Sequence, residues 1–330
     1  MSLFKKFGWL ALALLLFAGV MSCKEEEEET VASETMVGAV KFDIPYYVLK
    51  GETVTMSASG IEFPREATYR WYVSGVYADS LAANPVTVRF PDSLGTFKVS
   101  AVSYSPGYYI VTNTQEVTTI DTTWNTSFIG LHKSRNIFTD ARDGHSYRYE
   151  TIGDLDWFTQ NLAWGGIAYR ASKATASFFG NFYSWEMAME HGNVCPEGWR
   201  VPTNEDWESL AKAMNGGVAL PFIGNWPGLG AKASADVYLN ESRMWPYSPD
   251  NLHTNNFGWN AMPLGYAFVS DNTVSGLNEY GCWWSATEKD ATHGYYRYIW
   301  YDRSDFPMSY TGKSDMMASV RCVRTRPQSL

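Results

Sequence analysis

Apolar and polar positions along the chain fall into three regimes. The first is a continuous apolar run, GWLALALLLFAGVM, preceded by Lys5 and Lys6 and followed by small residues. It is too short to span a bilayer comfortably, so residues 1–22 are predicted to be a signal peptide. The second regime, from about Phe42 to Ile120, has period two. In TVTMSAS, Val54, Met56 and Ala58 alternate with Thr55, Ser57 and Ser59, and YRWYV, VTVRF and TFKVSAVSY follow at sandwich-like intervals. Gly51, Gly60, Pro64, Pro91, Gly95 and the pair Pro106-Gly107 punctuate the runs. This predicts an all-β unit of short strands over residues 41–125, with Trp71 as its core plug.

Beyond a polar join from Asp121 to Leu131 the pattern changes again. FTDARDGHSYRYETIGDLDWFTQNLAW reads as turn, strand, turn and a tryptophan-anchored segment, and FGNFYSWEMAMEHG supplies a short helix. A second helix has Thr203 as its cap, Asp206 three residues later, and Trp207, Leu210, Ala211 and Met214 at helical spacing, with Asn215-Gly216-Gly217 as its stop. The tail returns to strands in GCWWSAT, in YYRYIWYD with Tyr296, Tyr298 and Trp300 on one side, and in SVRCVRT.

Charge alters the picture at the amino end. The lone Cys23 is followed by Lys24 and five glutamates, Glu25 to Glu29. A run of like charges repels itself and stays unfolded, so residues 23–40 are predicted to be an acidic tether. The segment VMSC resembles the lipobox of bacterial lipoproteins, which implies acylation of Cys23 and an anchor in the outer membrane. Lys24, Glu25, Glu26 and Glu27 resemble the signal that sends lipoproteins of Bacteroidota to the outer face of that membrane. The chain carries a net charge of −9 without a basic stripe, which argues against nucleic acid as a partner.

A larger resemblance rests on six separated motifs. These are Phe138-Thr139-Asp140 with Arg142-Asp143-Gly144; Ile152-Gly153, Trp157 and Asn161-Leu162; Tyr183-Ser184-Trp185; Cys195-Pro196-Glu197-Gly198-Trp199-Arg200-Val201-Pro202-Thr203; Trp284-Ser285-Ala286-Thr287; and Ser319-Val320-Arg321-Cys322-Val323-Arg324. Their order is similar to that of the Fibrobacter succinogenes major paralogous domain, placed here over residues 132–327. The resemblance implies an α+β C-type lectin-like fold, a place on extracellular lipoproteins, and a disulfide between Cys195 and Cys322. Cys282 is not a family cysteine and reads as a buried thiol beside Trp283 and Trp284. The amino-terminal unit resembles the Ig-like and PKD sandwiches that space modules on cell surfaces. Asp-Ser/Thr turns at Ser80, Ser93 and Thr122 resemble the O-glycosylation sequon of Bacteroidota, and read equally as turn residues.

Catalytic chemistry finds little footing. The five histidines form no pair at helical i, i+4 spacing and no G-x-S-x-G elbow is present, so the chain is not expected to be an enzyme. Calcium is a weaker candidate, since PDNLHTNN and SDNTVSGLNEY are rich in oxygen ligands but lack lectin calcium signatures. The region from Leu220 to Tyr280 places Trp226, Trp245, Tyr247 and Trp259 among Asn256, Asn278 and Glu279, a mixture suited to stacking sugar rings and bonding hydroxyls. A tryptophan in such a region is more often a core residue. The expectation is a surface lipoprotein whose lectin-like domain binds a glycan or a host or bacterial surface protein, with the sandwich as stalk. The alternative is a structural subunit of a surface fimbria or a glycan-uptake complex.

Overall fold

The computed structural model describes residues 32–42, 44–75, 82–121, 130–168, 179–190, 193–239, 242–271 and 273–326. Strands dominate, and the helices among the described residues are α1 (Trp185–Ala188), α2 (Asn204–Met214) and α3 (Leu229–Ala233). None is long and apolar enough to cross a membrane.

In the amino-terminal unit a four-stranded sheet runs in the order Tyr47–Leu49, Val111–Ile120, Gly95–Tyr104 and Thr68–Val73. The run TVTMSAS keeps its predicted alternation, with Met56 and Ala58 buried, but it divides at Ser57 between two partners. Thr53–Met56 pairs with Val86–Arg89, and Ala58–Phe63 pairs with Val37–Phe42. The inward side chains of these sheets and pairs close on one core around Trp71, Val99 and Val117, as an Ig-like sandwich would. The strand Val37–Phe42 corrects the predicted extent of the tether. Met36 and Val40 are both buried, because the charge run ends at Glu29 and the segment after it pairs with Ala58–Phe63.

Beyond residue 130, the strands Asn136–Thr139, Ser146–Ile152, Leu155–Phe158 and Val323–Thr325 form a second four-stranded sheet in that order. The last strand of the chain thus pairs with one near the start of its unit. Helix α2 forms as the spacing predicts. Thr203 and Asp206 make a reciprocal capping box, and Arg200 donates to the same carboxylate. Its buried side, Trp207, Leu210, Ala211 and Met214, packs on Ile152, Leu155 and Trp157. Cys195 and Cys322 are joined in a disulfide, so the segment entering α2 is tied to the last strand.

A third sheet carries the candidate site. It consists of a floor strand (Tyr280–Glu288), an aromatic strand (His293–Trp300) and a rim strand (Met308–Gly312), all antiparallel. The two units also meet. Tyr47 and Ile120 from the sandwich join Leu131, Val237, Met244 and Leu264 in one apolar cluster. The Tyr47 ring meets Phe179 edge-on at 5.1 Å, and its hydroxyl donates to Asn278 Oδ1 at 3.2 Å. Burial pushes that hydroxyl up to about 12, so it remains a donor at any physiological pH.

Candidate functional site: an aromatic groove

Residues directly opposed across antiparallel strands point to the same face. The register sets Tyr280 opposite Trp300, Cys282 opposite Tyr298 and Trp284 opposite Tyr296; on the rim strand Ser309 stands opposite Tyr296. One face of the third sheet is therefore a field of rings. Arg297 and Ile299 alternate onto the other face and are fully buried.

The inner part of the aromatic face is covered by the cluster around Tyr183, Met316 and Val320. The outer part is left open as a groove of about 480 Å³, walled by Tyr266 and Phe268 on one side and by Tyr296, Tyr298 and Trp300 on the other. Tyr280 lies between them. It stacks on Tyr298 at 5.2 Å, meets Trp300 edge-on at 5.2 Å and Tyr266 edge-on at 5.5 Å. Such mutual contacts lock the rings, so a ligand meets a surface already formed. Arg303, Ser309, Thr311 and Asp315 add polar groups to the lining. Burial raises the Tyr280 and Tyr296 hydroxyls above the usual tyrosine value, with the Ser309 hydrogen bond acting the other way on Tyr296. Both are neutral hydrogen-bonding groups rather than bases.

Cys282 lies on this same face, between Tyr280 and Trp284 along the floor strand, fully buried, its Sγ 3.7 Å from the Gly265 carbonyl. Burial pushes its thiol well up. It has neither the access nor the thiolate character of a nucleophile.

The residues that sequence alone singled out do not gather at this groove. Trp226, Trp245 and Trp259 are fully buried, which corrects their assignment as ligand platforms. The region from Leu220 to Tyr280 has little regular structure of its own, and its tryptophans fill the core that holds it. Trp226 covers the Arg297 guanidinium and donates its indole N–H to the Pro221 carbonyl at 2.8 Å. Trp259 lies edge-on to Trp283 at 4.8 Å and beneath Arg321. Trp245 stacks on His253 at 4.9 Å. Asn278 is the Tyr47 acceptor between the units, while Tyr247, Asn256 and Glu279 are exposed outside the groove. Ser93 is exposed on a turn. Cys23, Lys24, Glu25, Glu26, Glu27, Ser80 and Thr122 lie outside the described residues.

The asparagine-rich loops have structural partners. Asn260 exchanges hydrogen bonds with the His132 backbone at 2.8 Å each way, and Asn251 donates to the carbonyls of Trp300 and Tyr301 at 3.2 Å. Among the described residues no group of three or more His, Cys, Asp or Glu side chains is placed to hold a metal ion.

His253 gives this region a pH dependence. Neither ring nitrogen has a hydrogen-bond partner. Burial lowers its pKa to about 4, with Asp236 acting to raise it and Arg243 to lower it. Between about 4 and the ordinary value of 6.5 the unfolded chain binds the proton that the folded chain refuses, so stability rises with pH across that window and falls on acidification. The expected contribution is on the order of 2 kcal/mol, allowing for partial hydration. In urea unfolding from pH 7 to pH 4, His253→Phe is expected to flatten this part of the profile.

The groove was missed because its signal lies in the strand register. Tyr296, Tyr298 and Trp300 at alternate positions mark an aromatic face, but only the pairing with Tyr280 and the approach of Tyr266 show it to be open and walled.

The family motifs converge elsewhere, in the interior. Asn161 Oδ1 accepts from Trp283 Nε1 at 2.9 Å and from Arg321 Nε at 2.7 Å, while its amide donates to the Phe179 carbonyl and to Ser319 Oγ. This closed knot fastens two motif segments to each other and to Trp283, the residue before a third. No curated protein and no solved structure matches the chain. The family model of the Fibrobacter succinogenes major domain matches residues 150–324, from the strand before Trp157 to the last strand, and the chain belongs to that family.

Proposed function

We propose that this chain is a lipid-anchored protein of the outer face of the outer membrane that captures a carbohydrate in the aromatic groove of its family domain. The groove carries the reading: rings in fixed mutual contact offer flat apolar faces, and hydroxyls, an arginine and a carboxylate stand within reach, the mixture that sugar recognition requires. The proposed role is binding, carried by the rings and the few polar groups that line the groove. Helices α1, α2 and α3 against small antiparallel sheets, with the last described strand returning to pair near its unit's start, support a C-type lectin-like α+β fold. The sandwich acts as an Ig/PKD-like spacer. Cys23 and the acidic run after it supply anchor and sorting signal, since stable anchoring takes more than one acyl chain.

On a glycan array the full chain is expected to bind a restricted set of oligosaccharides. Tyr298→Ala and Trp300→Ala are each expected to weaken binding at least about tenfold, the usual cost of losing a central aromatic anchor. Folded protein that binds nothing on the array would sink the proposal. Protease shaving of intact cells checks the location: the ectodomain should be removed, and a fully protected chain would place it on the inner face.

A further inference from the structure

The charged side chains of the groove are Arg303 and Asp315, and the strand register separates them. Arg303 follows the carboxyl end of the aromatic strand, its backbone N–H donating to the Trp300 carbonyl at 3.3 Å. Asp315 belongs to the other end. Its backbone N–H donates to the Gly312 carbonyl, and Gly312 stands opposite His293, the first residue of the aromatic strand. The Asp315 carboxylate occupies the space a side chain at 312 would need, so a glycine fits there and the carboxylate lies at that end.

Between these poles the rungs Tyr296, Tyr298 and Trp300 extend over roughly 14 Å of strand. That is longer than one sugar ring and suits a short run of linked ones. Arg303 is exposed, and its nearest carboxylate, Asp302, stays 3.8 Å away. That ion pair, through Nε, is exposed and beyond hydrogen-bond distance, so a ligand carboxylate or sulfate can compete for the guanidinium in the two-pronged geometry it favours. Asp315 repels an acid and accepts from hydroxyls.

We infer that the groove takes a linear glycan in one direction, with an acidic sugar at the Arg303 end and an uncharged, hydroxyl-bearing sugar at the Asp315 end. This rests on the carbohydrate reading of the same groove and adds charge and polarity to it. The acid is either a uronate or a sulfated sugar, since a planar carboxylate and a tripodal sulfate can each offer two anionic oxygens to the fork.

The test uses the full chain and three probes: a tetrasaccharide with a single terminal glucuronate, the same tetrasaccharide with that carboxyl reduced to the alcohol, and a counterpart sulfated at the same sugar. The acidic forms are expected to bind about tenfold more tightly than the reduced form, the worth of one charge-assisted contact. Whichever of the two binds better identifies the source of the acid. Arg303→Gln is expected to erase the difference while retaining binding of the reduced form. With tetragalacturonate, acidic at every unit, Asp315→Asn is expected to bind better than the unmodified chain. Equal binding of acidic and reduced forms, or a preference that survives Arg303→Gln, overturns the inference and leaves the carbohydrate reading standing. If the unmodified chain binds none of the probes and nothing on the array, or if Trp300→Ala binds as well as the unmodified chain, the carbohydrate reading of the groove itself has failed.

Discussion

Replacing Arg321 with alanine is expected to lower the stability of the folded chain by about 3–5 kcal/mol. The guanidinium is fully buried and has no carboxylate partner among its contacts. What compensates its desolvation is a cage of acceptors: Asn161 Oδ1 at 2.7 Å, the Asn260 carbonyl at 2.8 Å, and the carbonyl of Trp259. The face of Trp259 lies 4.3 Å from the guanidinium carbon. Truncation leaves the Trp259 and Asn260 carbonyls without the guanidinium donor, and Asn161 Oδ1 with Trp283 alone, inside a tryptophan-lined cavity too apolar to hydrate them well, so desolvation and cavity costs combine. Arg321→Lys is expected to fall between the two, because an ammonium on a flexible stem cannot reach three acceptors in a plane. Urea unfolding monitored by tryptophan fluorescence checks this. An alanine variant within about 1 kcal/mol of the unmodified chain would show that the knot is not what fastens the motif segments.

The second large effect is expected from the disulfide. Cys195 and Cys322 are 127 positions apart, and closing a loop of that length restricts the unfolded chain enough to stabilise the fold by about 4–5 kcal/mol. The bridge lies in the apolar cluster with Phe158, Trp199 and Val320, so its loss also disturbs packing around the last strand. The paired substitution Cys195→Ser with Cys322→Ser is expected to move the urea midpoint down accordingly. Cys282 does not complicate the result, since a buried thiol with a raised pKa is a poor partner for exchange. A midpoint unchanged by the double substitution would mean that the paired strands Leu155–Phe158 and Val323–Thr325 hold the chain ends together unaided.

How much of this could be read in the chain depended on whether the signal was local. The capping box at Thr203 and Asp206 and the buried side of α2 are encoded within the single stretch from Thr203 to Met214, and both form as the spacing predicts. The alternation of TVTMSAS was equally legible, but its division at Ser57 was not, because pairing partners are chosen by residues far along the chain. The tryptophans between Leu220 and Tyr280 failed for a related reason. Composition describes an indole in a polar loop and a ligand platform in the same way, and only the packing of six tryptophans in one cluster tells them apart. The contact between the units was also hidden: Tyr47 reads as an ordinary strand residue until Phe179 and Asn278 are seen against it. That contact alters the role of the sandwich. A module that shares a core with its neighbour fixes the direction in which the groove faces, where a free stalk would let it turn.

The proposed role of the aromatic groove is to bind a carbohydrate. Its most direct test is a crystal structure of the chain with the tightest oligosaccharide from the array. The account predicts sugar rings lying over Tyr298 and Trp300, between the Tyr266 wall and the rim strand Met308–Gly312. An oligosaccharide seated elsewhere, with the groove filled only by water, would contradict it.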